Sequence, residues 1–241
     1  MDRNKLHHVV EFGSPLWIGM NIFLVMGLFS ILFFSRNLSD DKKWKIGQTL
    51  ASIMLINMVL GHIVGFATDT WSIRDSLPLH LCSFSVILVA IAMFTKKQMP
   101  YEFLIFWGAG AVHSFLTPEM TVGGGLDSNY NIYRTIEYSI SHFGIICGGL
   151  FLTMRLNRIP NKKSWLKVFL YTQLTLPIIG LINWALGSNY MYISQRPEAN
   201  NPMIIGEWPY YIIGLEVVVI VHFIAFYYLH KALSPVKKSQ T

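Results

Sequence analysis

Seven apolar runs, separated by short clusters of charge, constrain this chain more than any other feature of it. A bilayer core of roughly 30 Å takes about 20 helical residues. The runs fall at about residues 15–35, 46–67, 78–95, 101–118, 133–154, 165–186 and 209–230. Backbone N–H and C=O groups find no water inside hydrocarbon, so runs of this kind must close their hydrogen bonds internally, as helices. The expectation is an all-α, polytopic seven-transmembrane-helix bundle, with residues 1–241 forming one domain, multi-pass in the cell membrane. Pro15, Pro78 and Pro209 stand at three of the starts, where the missing N–H costs nothing. Gly187 follows the sixth run and can end it. The tight connection at 96–100 makes the third and fourth runs an antiparallel hairpin.

Charge distribution orients the bundle. Only 13% of residues are charged, against about 25% in soluble domains. Of the 19 lysines and arginines, 14 fall in one alternating set of loops: Arg36, Lys42, Lys43 and Lys45; Lys96 and Lys97; Arg155, Arg158, Lys162, Lys163 and Lys167; Lys231, Lys237 and Lys238. Arg3, Lys5, Arg74, Arg134 and Arg196 make up the other set. The positive-inside rule puts the richer set in the cytoplasm, which leaves the N-terminus outside and the C-terminus cytoplasmic. The net charge of +6 forms no single stripe, so nucleic acid is excluded as a partner. The first run is read as a span and not as a signal peptide, because Glu11 and other polar residues precede it and no small-residue cleavage site follows. Cys82 and Cys147 both lie in apolar runs and read as thiols, not as a disulfide framework.

Polar side chains inside hydrocarbon are costly and face the bundle interior or a wet cavity. His62 lies near the outer end of the second run, His80 at the outer start of the third, and His113 with Thr117 near the outer end of the fourth. Arg134, Glu137 and His142 are placed in the outer half of the fifth run and Asn183 near the outer end of the sixth. Glu216 sits roughly 10 Å below the start of the seventh. The inner halves carry Glu102, His222 and His230 as exceptions. This asymmetry implies a polar pocket beneath the outer surface. Helical spacing puts His80 and Ser83 on one face, whereas His80 and Cys82, two apart, point to nearly opposite sides of a regular helix. A Cys–His nucleophile pair there needs an irregular turn after Pro78. Arg134, Glu137, Tyr138 and His142 form a polar stripe. Each histidine also has a plain reading, as an interhelical hydrogen bond worth roughly 1 kcal/mol.

Two outer loops add candidates. Gly123-Gly124-Gly125, followed by Asp127, Ser128 and Asn129, reads as a flexible loop, a mobile lid, or a backbone that approaches something closely. It lacks the Gly-Lys-Ser/Thr of a phosphate-binding loop. The loop from Gly187 to Pro209 is long for a connector. Its Tyr190, Tyr192, Trp208, Tyr210 and Tyr211 fit an interfacial aromatic belt, and Asn189, Arg196 and Glu198 are candidate head-group contacts.

Several motifs are shared with a known family. LPLHLC at 77–82, GAVHSFLTPE at 110–119, EYSISHFGII at 137–146, GSNYMYISQRP at 187–197 and GEWPYYI at 206–212 together resemble the YwaF-type bacterial integral membrane proteins. The resemblance implies a compact seven-helix bundle. More distantly the chain is similar to a eukaryotic transmembrane acyltransferase family that remodels ether phospholipids. That similarity implies roles for His80 and His142. The cysteine of that family falls where this chain has Leu79, and Cys82 comes two residues after His80.

Three functions follow as expectations. The first is a lipid acyltransferase or hydrolase acting on a membrane lipid, with His80 or His142 as general base and Ser83, Cys82 or a lipid hydroxyl as nucleophile. Its substrate contacts would come from His113, Asn183, Arg134, Glu137, Glu216, Asn189, Tyr190 and Arg196. No cofactor is required, although a zinc variant would draw three ligands from His62, His80, His113 and His142. The second is a transporter or binding protein for a small solute or lipid. The third is an accessory subunit whose polar groups only hold helices together.

Overall fold

A computed structural model describes residues 5–123, 128–197 and 204–235. Helices dominate it, in the order α1 (Pro15–Ser35), α2 (Asp40–Ala67), α3 (Leu81–Thr95), α4 (Gln98–Trp107), α5 (Gly110–Leu116), α6 (Ser128–Met154), α7 (Ser164–Leu186) and α8 (Tyr210–Leu233). Five of these, α1, α2, α6, α7 and α8, are long and apolar enough to cross a membrane. They coincide with the first, second, fifth, sixth and seventh apolar runs. The start of α1 obeys ordinary capping chemistry. Ser14 Oγ accepts from Trp17 N at 3.2 Å, with Pro15 at the first helical position. Gly187 closes α7 at φ 62°, a left-handed conformation that costs glycine little.

The third and fourth runs depart from the expected pair of continuous spans. Helix α3 begins only at Leu81, so Pro78–His80 is not helical. Its 15 residues rise only about 22 Å. The fourth run is broken into α4 and α5 at Gly108-Ala109, and glycine is required at 108, where a side chain would collide with the Leu104 carbonyl and with Ile145 of α6. Helices α3 and α4 form the expected hairpin, turned by Lys96 at φ 56°. Two short strands, absent from the helical expectation, pair antiparallel: β1 (Lys5–Val9) with β2 (Glu119–Gly123), in the register Val9 opposite Glu119. They join the start of the chain to the segment after α5. Of the glycine-rich loop, Gly123 ends β2, and 124–127 lie outside the described residues, as does Glu198.

Burial separates the central helix from the rest. Of its most apolar stretch, α6 buries 56%, whereas the other four long helices bury 17% or less. Helix α6 packs on α2 and α3, with α1, α5 and α8 around it. This explains its composition: a helix facing protein on most sides can carry polar residues that a lipid-facing helix cannot. By contrast, Leu170, Leu174, Ile178, Leu181 and Trp184 of α7 are exposed along one side. Such an exposed apolar stripe would be a liability in water, and it matches hydrocarbon. The described architecture is that of a polytopic helical membrane protein.

Candidate functional site

A cavity of about 320 Å³ opens between α2, α3 and α6. That volume lies at the lower end of the range for small-molecule sites. One face of α6 supplies its polar wall, with Tyr130, Arg134, Glu137, Tyr138, Ser141 and His142 at helical spacing. Helix α2 contributes His62, and its Gly61 lets Glu137 come close: a Cβ there would stand 3.2 Å from Glu137 Oε1. The connection between α2 and α3 adds Trp71, Asp75 and His80, and the first turn of α3 adds Cys82 and Ser83. Glu119 of β2 and Tyr192 complete the rim. His142 lies about 21 Å along α6 from its start, so the cavity reaches the middle of the helix and not only its outer half.

Hydrogen bonds fix the state of each imidazole. His142 Nδ1 is 2.8 Å from the Tyr138 carbonyl. A carbonyl only accepts, so Nδ1 carries the proton and Nε2 of the neutral ring keeps its lone pair. The Tyr138 ring packs on His142 at a centroid distance of 4.1 Å. His80 is the opposite case. Its Nδ1 accepts from Met191 N at 3.3 Å, which puts the proton of the neutral ring on Nε2. His62 Nδ1 likewise accepts from Trp71 Nε1 at 3.1 Å. The cavity wall thus offers an imidazole acceptor from α6 and an imidazole donor from the start of α3. Arg134 Nη1 pairs with Glu137 Oε2 at 2.6 Å. Behind them Asn57 donates to the Glu137 carbonyl at 3.0 Å and to Ser141 Oγ at 2.9 Å, tying α2 to α6.

The irregular start of α3 changes the geometry expected for Cys82. His80 is the N-cap, at φ −80° and ψ 152°, so its side chain leaves an extended backbone. The two-residue rule for a regular helix therefore does not apply, and His80 and Cys82 line the same cavity. No side chain caps this helix. Its first bond to the cap runs from Phe84 N to the His80 carbonyl at 3.1 Å, so the N–H groups of Leu81, Cys82 and Ser83 have no intrahelical acceptor. Cys82 and Cys147 are free thiols.

Other expected contacts lie elsewhere. His113 Nε2 is 2.9 Å from His222 Nε2 on α8, away from the cavity lining. The set His62, His80, His113 and His142 therefore does not assemble. Among the described residues no three or more His, Cys, Asp or Glu side chains form a group that could hold a metal ion. Glu216 accepts from Gln173 Nε2 at 2.7 Å between α8 and α7. Arg196 pairs with Glu207 at 3.2 Å on the exposed surface. Asn189 Oδ1 accepts from Ser194 N and Gln195 N, both at 3.0 Å, holding its own turn. Asn183 and Tyr190 are buried against one another, their polar atoms used within the protein. Of the expected aromatic belt, Tyr190 and Tyr211 are fully buried and Tyr192 lines the cavity, while Trp208 and Tyr210 are exposed. Burial raises the Tyr190 phenol above its ordinary pKa and nearby Asp75 adds to this, partly offset by the Leu77 N–H it accepts.

Sequence reasoning passed over Asn57, Trp71, Asp75, Ser141 and Tyr192 as site residues. Asn57 and Ser141 carried a signal, being polar groups inside apolar runs, with Ser141 one turn from Glu137. Trp71 and Asp75 sit in a connection whose path no periodicity reveals. Glu119 stood in a quoted motif without being assigned a position in the site.

A central polar helix and lipid-facing flanking helices define a polytopic integral membrane protein. The TMEM164 family model matches residues 9–227, nearly the whole chain, and the chain belongs to that family. It is also similar to an uncharacterized protein of Treponema pallidum (strain Nichols), 25% identical over 177 residues, which is 72% of this chain and 70% of that protein. No solved structure matches.

Proposed function

We propose that this protein is a membrane-embedded acyltransferase or hydrolase of lipid esters in the cell membrane, working through Cys82 with His142 as general base. The observation that carries the reading is the convergence of Cys82, His142 and His80 on one cavity from two different helices. Opposed imidazole tautomers suit acid–base chemistry, because one ring can take a proton while the other holds one out.

In the proposed reaction, Cys82 Sγ attacks the ester carbonyl of a lipid as its proton passes to His142 Nε2. The carbonyl oxygen gains negative charge in the tetrahedral intermediate. The uncapped N–H groups at the start of α3 and the His80 Nε2–H are the donors nearest to hand in the sequence for stabilising it. Collapse breaks the C–O bond, and the leaving alkoxide takes the proton from His142. The resulting thioester then reacts with a second lipid hydroxyl, giving transfer, or with water, giving hydrolysis. His142 accepts the proton of that nucleophile and returns it to sulfur. The charge asymmetry of the loops supports an outward-facing mouth, and the resemblance to ether-lipid acyltransferases supports a lipid substrate.

Close packing of α6 on α2 and α3 supports chemistry over passage. Met54 packs against Gly144, and Val89 against Gly148, so tightly that a Cβ on either glycine would collide. Met54, Val89 and Cys147 are fully buried. A transporter would need a route through this packing.

The test is acyl transfer in liposomes holding a phospholipid donor and an isotope-labelled lysophospholipid acceptor, followed by mass spectrometry of the lipids and of the intact protein. Labelled diacyl product and a hydroxylamine-sensitive acyl adduct on the wild type, with both lost in Cys82→Ala, are expected. Unchanged turnover in Cys82→Ala would remove the nucleophile, and no turnover in the wild type would remove the reading.

A further inference from the structure

His80 is held by a turn that belongs to a distant part of the chain, and that turn is built with more bonds than a loop requires. It begins at Asn183, in the last turn of α7 and 2% exposed. Asn183 Oδ1 accepts from Tyr190 N and Ser188 Oγ, both at 2.8 Å, and its Nδ2 donates to the Tyr190 carbonyl at 2.9 Å. The carboxamide therefore pairs with both backbone groups of Tyr190, as a neighbouring strand would. The Tyr190 phenol then reaches across to the segment before His80, donating to the Ile73 carbonyl at 2.7 Å and accepting from Leu77 N at 3.0 Å. A second anchor comes from α8, where the Tyr211 hydroxyl donates to the Tyr192 carbonyl at 2.5 Å.

Between these anchors the backbone is forced. Met191 stands at φ 58° and Tyr192 at φ 52°, two successive non-glycine residues in the left-handed region. Side chains disfavour that region, and such strain persists only where surrounding bonds over-determine it. This backbone conformation has one visible product. It turns the Met191 N–H onto His80 Nδ1 and sets the Tyr190 and Tyr192 rings on the imidazole, each with its centroid 5.4 Å away.

We propose that Asn183, acting through the strained Tyr190–Tyr192 turn, is a positioning residue that locks the His80 imidazole in the Nε2–H form at the cavity wall. The lock rests on the acyl-transfer reading for its purpose, since a fixed donor serves charge developing on a carbonyl oxygen, but its existence can be measured without turnover. A turn that merely closed the loop would not control which nitrogen carries the proton.

The experiment uses the full chain in lipid nanodiscs with 15N-labelled histidine, the His80 signals being assigned by their loss in His80→Gln. Wild type should show an unprotonated Nδ1 and a protonated Nε2. Asn183→Leu should mix the two tautomers and lower kcat for acyl transfer by about 10-fold or more at little change in KM, as expected when a catalytic group loses its orientation. Replacing the Met191 amide by an ester through an α-hydroxy acid removes only the donor, and should shift the tautomer with the fold intact, so it carries the test if Asn183→Leu does not fold. Met191→Gly keeps the N–H, relieves the strain, and should leave the His80 signals as in wild type. An unchanged tautomer in the ester variant overturns the proposal. A shifted tautomer in a wild-type protein that transfers no acyl group would leave the lock standing and remove the acyl-transfer reading.

Discussion

Buried polar groups occur at both ends of this bundle, but they are used differently. At the end bearing most of the basic loops, Thr153 Oγ1 donates to the Gly149 carbonyl at 2.9 Å and meets the Tyr101 hydroxyl at 3.0 Å and His230 Nδ1 at 2.6 Å. Three partners thus surround this one hydroxyl. Glu102 nearby accepts from Gln98 Nε2 at 3.2 Å and Asn161 N at 2.9 Å. The crevice beside His230 is small, about 110 Å³, and its other lining is apolar. At the opposite end a cavity of about 320 Å³ is walled by imidazoles, carboxylates and a thiol. The lesson is that a histidine in a membrane helix is not a functional signal by itself. What separates His142 from His230 is a polar space into which an uncommitted ring nitrogen can work.

The sharpest way to break this contrast is to remove one imidazole from each end. His142→Ala should lower acyl transfer by about 10²–10⁴-fold, the usual worth of a general base, measured as initial rate per folded molecule in liposomes. If His230→Leu does the same, the two ends are not different in kind. Next in size, Thr153→Val deletes the hub of the basic-end network and leaves the Tyr101 hydroxyl and His230 short of a partner. A loss of about 1–3 kcal/mol in stability is expected, read as a lower unfolding midpoint in detergent with the rate per folded molecule unchanged. The smallest effect is expected from Arg196→Ala. Its partner Glu207 is 78% exposed, and exposed ion pairs contribute about 0–1 kcal/mol, so both stability and turnover should stay near wild type. A large loss of turnover there would restore Arg196 to the substrate site.

Much of the fold was legible because helices in hydrocarbon announce themselves. α1 coincides with its expected span, and α7, expected at 165–186 and ended by Gly187, runs Ser164–Leu186. The stripe Arg134, Glu137, Tyr138 and His142 was readable from spacing alone, since one helix fixes which of its residues share a face. The close approach of Gly108 to Ile145 was not readable, because it involves another helix. Nor was the strand pairing of Lys5–Val9 with Glu119–Gly123, which joins segments more than a hundred residues apart.

The sequence by itself determined that the chain lives in a membrane and how its helices alternate. Apolar length and charge placement act through the solvent and need no neighbour. Tertiary structure decided the rest: that His113 turns to His222 and away from His62, His80 and His142, that Cys82 joins His80 because the chain before Leu81 is extended, and that Asn183 serves Tyr190 and not a ligand. Those outcomes depend on which side chains from separate helices meet, and hydrogen bonds between distant residues leave no periodic trace in either partner.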